Sequence, residues 1–366
     1  MSDMQTIILQ SAEKIFTKHL TKEMLERAEA GCFPSDLWQK LQESGLLLLG
    51  IEEEQGGNGG DLADGFKLMQ LAGKYAAPVP IAETLITNWI LAEIGLRASD
   101  DIRSLSCLFE PDRIVSTAAA GHISGMVSHV PYGRDAYKVI AFMLSEEEPS
   151  LVILPVSSAR IERNQNLAAE ARDTLHFNSV SIQEIERYPI KAEMRERTIC
   201  IGALARVAMM TGAMERIMDL IIKHVKNRHQ FGRPLARQQA IQQHIALLAG
   251  ELAAAKAALN NAIAAFESGL ATKEIALAKI RLNEGAGRFA KVAHQIMAAI
   301  GFTHEHSLHH STRRLWSYRD EFGTEGDWSN IIAKQLQQAN KNGLWEYITG
   351  QHAPKGDKNE RSTIYR

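Results

Sequence analysis

Cysteine is scarce in this chain. Cys32, Cys107 and Cys200 are its only three thiols, too few and too scattered for a disulfide framework or a cysteine zinc site, and they point to a reducing compartment. Long apolar runs are missing as well: no stretch reaches the roughly 18 uninterrupted apolar residues a membrane helix needs. Neither charge dominates, since 41 Lys and Arg face 43 Asp and Glu, so no basic surplus marks a nucleic-acid partner. Residues 1–16 carry acids and lack the basic stretch and small-residue cleavage site of a secretory leader. The expectation is a cytoplasmic protein with no nucleic-acid partner and no membrane insertion. What remains is 366 residues with 45% hydrophobic and 23% charged side chains, which reads as globular and long enough for two or three domains.

Three zones follow one another. Residues 1–108 read helical: a polar start at Ser35-Asp36 leads to Leu46, the glycine-rich 56–60 breaks the pattern, and helical periods resume at 61–76 and 81–96. Residues 109–190 alternate short β-branched or apolar runs with turn residues, at 113–117, 122–130, 137–144, 150–156, 174–177 and 180–182, which predicts a small antiparallel sheet or barrel. Residues 191–350 return to long helices. Val207, Met210, Met214, Ile217, Ile221 and Val225 share one face. Ile241, Ile245, Leu248, Leu252, Ala255, Leu259 and Ile263 form the seam of the next helix, and a third helix is expected over 272–300. Met209, Met210, Met214 and Met218 are read as bundle core. The tail, 351–366, is polar. The fold class is thus multidomain α+β: a helical N-terminal domain, a small β-domain and a C-terminal helical bundle.

The densest chemical signal is Arg228-His229-Gln230-Phe231-Gly232-Arg233-Pro234, followed by Gln239. Gly232 and Pro234 predict a turn between two long helices, and that corner presents a guanidinium, an amide and an aromatic ring together. Arg suits a diphosphate through its forked donors, Gln a polar edge, and Phe a flat heteroaromatic ring. On composition alone, an ordinary helix–turn–helix with an exposed Arg is the plainer account. This segment resembles the R-x-Q-F-G-x-P-x-x-x-x-Q signature of the flavin-dependent acyl-CoA dehydrogenase family. Trp38…Gly45-Leu46 with Glu53–Gly59 is similar to that family's N-terminal domain, and Gln295–Thr303 to its Q-x-x-G-G-x-G-[FY]-T segment. The resemblance runs along nearly the whole chain. It implies FAD as cofactor, an acyl-CoA substrate oxidised at Cα–Cβ, an electron-transferring flavoprotein as acceptor, and Arg228, Gln230, Phe231, Gln239 and Gln295 as cofactor-binding residues.

The departures from the family pattern carry equal weight. Thr117–His122 stands where active members have the T-E-x-x-x-G-S-D flavin cradle. Phe322 falls where the glutamate base of Y-E-G-T belongs, with Glu321 one place early, a rotation of roughly 100° on a helix. Gly202 occupies the position from which other members present the base. Ala298-Ala299 replaces Gly-Gly. In the family, the R-x-Q-F-G and Q-x-x-G-G segments reach the neighbouring subunit's FAD, whereas the cradle and base serve the chain's own. The chain therefore keeps what it would donate and lacks what it would use. No catalytic residue and no metal ligand is assigned, and the expected assembly is a heterodimer or heterotetramer with a homologous subunit. Unlike-subunit members are associated with bulky substrates such as CoA thioesters of steroid side chains. Two alternatives stand beside this reading: a self-sufficient homomeric enzyme with Glu321 as displaced base, and a flavin-free structural or binding protein.

Other charged clusters have plainer readings. His304–His310 is dense in imidazole, and His306 and His310 have helical i, i+4 spacing, but helix-start and interface residues are the simpler account. Arg313, Arg314 and Arg319 around Trp316 read either as a clamp on a CoA phosphate or as a solvated, salt-bridged face. Glu146-Glu147-Glu148 reads as a solvated loop.

Overall fold

The computed structural model describes residues 3–117, 121–143, 149–269 and 271–339. The Glu146–Glu148 run and the tail lie outside them. Five helices open the chain: α1 (Asp3–His19), α2 (Lys22–Glu29), α3 (Ser35–Glu43), α4 (Leu62–Tyr75) and α5 (Ile81–Glu93). Thr21 caps α2 by accepting from the Met24 amide at 3.2 Å. Asp61 and Asp64 form a reciprocal capping box at the start of α4, satisfying amides that no helical carbonyl can reach. From Ile81 to Leu91, α5 is buried on every side, so it runs through the core rather than along the surface.

Two four-stranded sheets follow. One orders β1 (Arg103–Leu105), β4 (Lys138–Met143), β5 (Ser150–Pro155) and β8 (Glu186–Pro189); the other orders β2 (Arg113–Thr117), β3 (His122–Pro131), β7 (Arg172–Ser181) and β6 (Ala159–Glu162). Among the described pairings only the three-residue β1–β4 contact is parallel. The runs at 174–177 and 180–182 are one strand, β7, interrupted where Ser179 takes φ 50°. Alternation places Val139, Ala141, Val152 and Leu154 against the second sheet, while Ile140, Phe142, Leu151 and Ile153 join the helical core. Sandwiched on both faces, β4 and β5 therefore read as near-continuous apolar runs.

The bundle consists of α6 (Glu193–Asn227), α7 (Gln239–Glu267), α8 (Thr272–Met297), α9 (Leu308–Asp320) and α10 (Glu325–Ala339). By length and composition α6 is the one described helix that could cross a membrane, yet 94% of its most apolar window is buried. It is the central helix, and glycines let it cross α4 closely. A Cβ on Gly212 would stand 1.8 Å from the Gln70 carbonyl oxygen, and one on Gly73 would stand 2.1 Å from that of Met209. Met209, Met210 and Met214 are buried in this core, as the sequence predicts. The third bundle helix stops at Met297, short of 300, because Ala298 turns to φ 51° and ψ −142°.

Candidate functional site

Helix α6 ends at Asn227, and Arg228 leaves it with extended backbone, its amide still donating to the His224 carbonyl at 2.8 Å. The strands β9 (His229–Gln230) and β10 (Arg233–Pro234) pair antiparallel. Phe231 and Gly232 join them with φ of 53° and 74°, the doubly positive pair a two-residue hairpin turn requires. The Leu235 amide donates to the Arg228 carbonyl at 2.8 Å and closes the corner. Arg228 is thus fixed at a defined point of the backbone while its side chain stays exposed.

This corner borders a cleft of about 1130 Å³ that also takes in Gln230 and Gln295. Lys22, Arg216, Lys223 and His224 line it too, with Glu305 as the single acid, and Leu220, Leu235 and Ile241 add apolar wall. The field inside is positive. Burial and the Arg228 charge push His224 below its ordinary pKa; burial, then His224 and Arg216, do the same to His306. Forked and point cations beside two amides and an apolar wall suit an ADP-like group, a diphosphate joined to a flat polar-edged ring. Three of the five residues singled out from sequence meet here. Phe231 sits at the hairpin tip, 92% exposed, and Gln239 opens α7 on the exposed side.

A second arrangement lies where α5, α6, α9 and β7 converge, and it is closed. Arg206 Nε donates to Glu321 at 2.6 Å, and its Nη2 donates to Glu83 at 2.6 Å. Arg172 Nε donates to the other Glu321 oxygen at 2.7 Å and its Nη2 to Glu170 at 3.1 Å. Glu170 in turn accepts from Arg314 at 2.9 Å and from the Tyr318 hydroxyl at 3.0 Å. Three carboxylates and three guanidiniums so balance one another, all buried. Burial alone would raise the Glu321 carboxyl, but Arg172 and Arg206 outweigh it and hold it at about 2. Beside this network the Phe322 ring covers Gly202, where a Cβ would stand 2.3 Å from a ring carbon. The two positions from which the resembling family presents its base therefore touch each other, and neither carries a carboxylate.

Glu321 follows the end of α9 with extended backbone, and Phe322 then takes φ 54°, so the one-place offset is resolved by a turn and not by helical rotation. Residues 118–120 of the cradle-equivalent stretch lie outside the described residues; Thr117 and His122 are register partners of the antiparallel β2 and β3. The Phe322 ring fills the space beside Gly202, so no acid reaches in from either of these positions, whereas the cleft offers room and polar partners for the adenine and diphosphate end of FAD.

The arginines of α9 are salt-bridged, as the plainer reading expects, but only Arg313 and Arg319 keep contact with solvent. Arg314 is 1% exposed and paired with Glu170, Arg313 pairs with Glu29, and Arg319 with Glu325. His306 Nδ1 accepts from the Leu308 amide at 3.1 Å, while His310 turns to Glu29, so the i, i+4 pair does not converge. Sequence reasoning passed over Arg206, Glu83, Glu170 and Arg172. Arg206 carried a signal, because a charge between Ala205 and Val207 on an otherwise apolar helix must find buried partners.

Comparison with known proteins places these features in context. Residues 2–103 match the family model described as acyl-CoA dehydrogenase, N-terminal domain, and residues 194–337 match acyl-CoA dehydrogenase, C-terminal domain. The acyl-CoA dehydrogenase IpdE2 of Mycolicibacterium smegmatis is 24% identical over 326 residues, covering 84% of this chain and 91% of that one. Among solved structures, the ChsE4-ChsE5 complex from Mycobacterium tuberculosis superposes with a TM-score of 0.84 at 18% identity, covering 94% of this chain and 99% of that one. A variant of the Tcur3481-Tcur3483 steroid ACAD reaches 0.83 at 21% identity, covering 93% and 99%.

Proposed function

The chain belongs to the acyl-CoA dehydrogenase family, flavin-dependent oxidoreductases of acyl-CoA thioesters, and within it we propose that it is a subunit of a heteromeric enzyme, without a base of its own, that completes the FAD site of a homologous partner. The observation that carries this reading is the division within one chain: an open cationic cleft at Arg228, and a sealed region at Phe322 and Gly202. FAD, when bound, supplies the acceptor for the β-hydride. This chain's part is to hold the diphosphate with the Arg228 fork, to place the Gln230 and Gln295 amides near the adenine end, and to neutralise charge with Lys22, Arg216 and Lys223. An electron-transferring flavoprotein is the acceptor that would reoxidise the partner's flavin.

Unburied apolar surface supports the assembly. Phe231 and Phe302 are 92% and 75% exposed and Leu247 is 45% exposed, and Ile241 and Ile245 at the start of the α7 seam stay half-buried. A second subunit would cover them. The similarity to a two-chain complex and to a steroid ACAD supports a bulky, steroid-type acyl-CoA as substrate. The three cysteines are free thiols, which fits the cytoplasm. The self-sufficient alternative asks Glu321 to abstract a proton, but a carboxylate held at about 2 by two arginines is a poor base. The flavin-free alternative leaves the cationic cleft without a ligand.

Expression of the chain alone and together with candidate partner dehydrogenases tests the proposal. The isolated chain should be colourless and the pair yellow, turning over acyl-CoA. A yellow isolated chain with turnover would overturn it.

A further inference from the structure

One cluster at the border of the cleft has unsatisfied chemistry, with His310 forming part of the cleft wall. Glu29, the last residue of α2, meets the first turn of α9 across 281 positions of sequence: its Oε1 accepts from His310 Nδ1 at 2.7 Å. Its other oxygen is held by Arg313 Nη1 at 2.9 Å. The His309 ring lies tilted beside that of His310, ring centroids 3.9 Å apart. His309 Nδ1 is buried without a hydrogen-bond partner, a costly state that calls for an explanation. One ligand atom from each of Glu29, His309 and His310 lies within 4.8 Å of the other two.

We propose that Glu29, His309 and His310 form a binding site for a first-row divalent cation, with Zn²⁺ the best match, that fastens the N-terminal helices to the bundle. Two imidazoles and a carboxylate are a donor set zinc accepts. Ligand atoms around tetrahedral zinc stand about 3.3 Å apart, given metal–ligand bonds of about 2.0–2.1 Å, so small side-chain rotations close the site. The cation takes the place of the proton now shared by Glu29 and His310. Arg313 on the second carboxylate oxygen leaves Glu29 one oxygen to give and fixes its direction, the role outer partners play at zinc centres. The His304 ring, 5.1 Å from that of His309, is the nearest further imidazole, and water fills the remaining position. The site shares the cleft wall at His310 but uses none of the proposed diphosphate donors, and it does not depend on the heteromer proposal.

Chelator-treated chain, with its partner if co-expression is needed for yield, is titrated with Zn²⁺ by calorimetry and counted by elemental analysis. Co²⁺ serves as a spectroscopic substitute. The expected result is one zinc per chain, visible Co²⁺ bands of tetrahedral intensity, and a zinc-dependent rise in Tm. His309→Ala should weaken zinc by at least about tenfold and abolish the Tm rise, leaving the zinc-free melt in place; His229→Ala, on the exposed hairpin, should change nothing. His309 is half-buried, so its removal tests the site even where His310→Ala fails to fold. Substoichiometric zinc, a hexa-aqua Co²⁺ spectrum, or unchanged affinity in His309→Ala would overturn the proposal.

Discussion

The Arg228 corner and the Arg206–Glu321 centre use the same side-chain chemistry for opposite ends. At the corner, guanidinium and ammonium groups face an open cleft with a single acid among them, so their positive field is directed outward into the cleft. At the centre, three arginines meet three carboxylates inside the protein, and the field is spent on the fold. Arginine by itself therefore says little about binding. What decides is whether anions of the same chain have already claimed it.

The largest test of this contrast removes one member of the closed set. Glu321→Ala strands Arg172 and Arg206 without their shared partner, and loss of one side of a buried ion pair costs about 3–5 kcal/mol; denaturant titration should show it as a shifted midpoint with nearly unchanged slope. Acid probes the same centre. The folded-state value of Glu321, about 2, lies below its ordinary 4.5, so its stabilisation is complete above the ordinary value and is lost as pH falls through about 2. Stability measured down that range should fall more steeply in the native chain than in Glu321→Gln.

At the open corner, substitution should move binding and spare the fold. Arg228→Ala should weaken FAD retention in the assembled complex by about 1.5–3 kcal/mol, the worth of a charged hydrogen bond, with the chain's melting curve unmoved. Arg228→Lys should recover part of it. If Arg228→Ala unfolds the chain while flavin content holds, the contrast between the two regions collapses. The smallest effect is expected at Ala298, which lines the cleft in a backbone region that suits glycine. Ala298→Gly should relieve strain on the order of 1 kcal/mol, read as a modest rise in Tm.

Much of the architecture was legible because it rests on periodicity. Val207, Met210, Met214, Ile217, Ile221 and Val225 are all buried as their spacing demands. In the next helix Leu248, Ala255, Leu259 and Ile263 are buried while Ile241 and Ile245 are not fully so, since a repeat reveals an apolar face but not which molecule covers it. Strands β1, β6 and β8 escaped notice, being three or four residues long, too short for alternation to stand out. The Arg228 segment was visible because its residues are contiguous. The ion network was not, because Glu83, Glu170, Arg206 and Glu321 are assembled from four distant parts of the chain, and pairing across such separations leaves no local pattern.

The contact between Phe322 and Gly202 also bears on how such a chain could change over generations. A carboxylate at 202 is blocked while the ring stays, because even its first carbon would overlap the ring. Trading the ring for a glutamate would put a new anion beside Glu321 with no unclaimed arginine to receive it. An acid at 202 thus needs the ring removed first, and an acid at 322 gives up the ring's packing while adding a second buried anion next to Glu321. The two residues act as a ratchet: while the ring rests on the glycine, packing opposes an acid at either position.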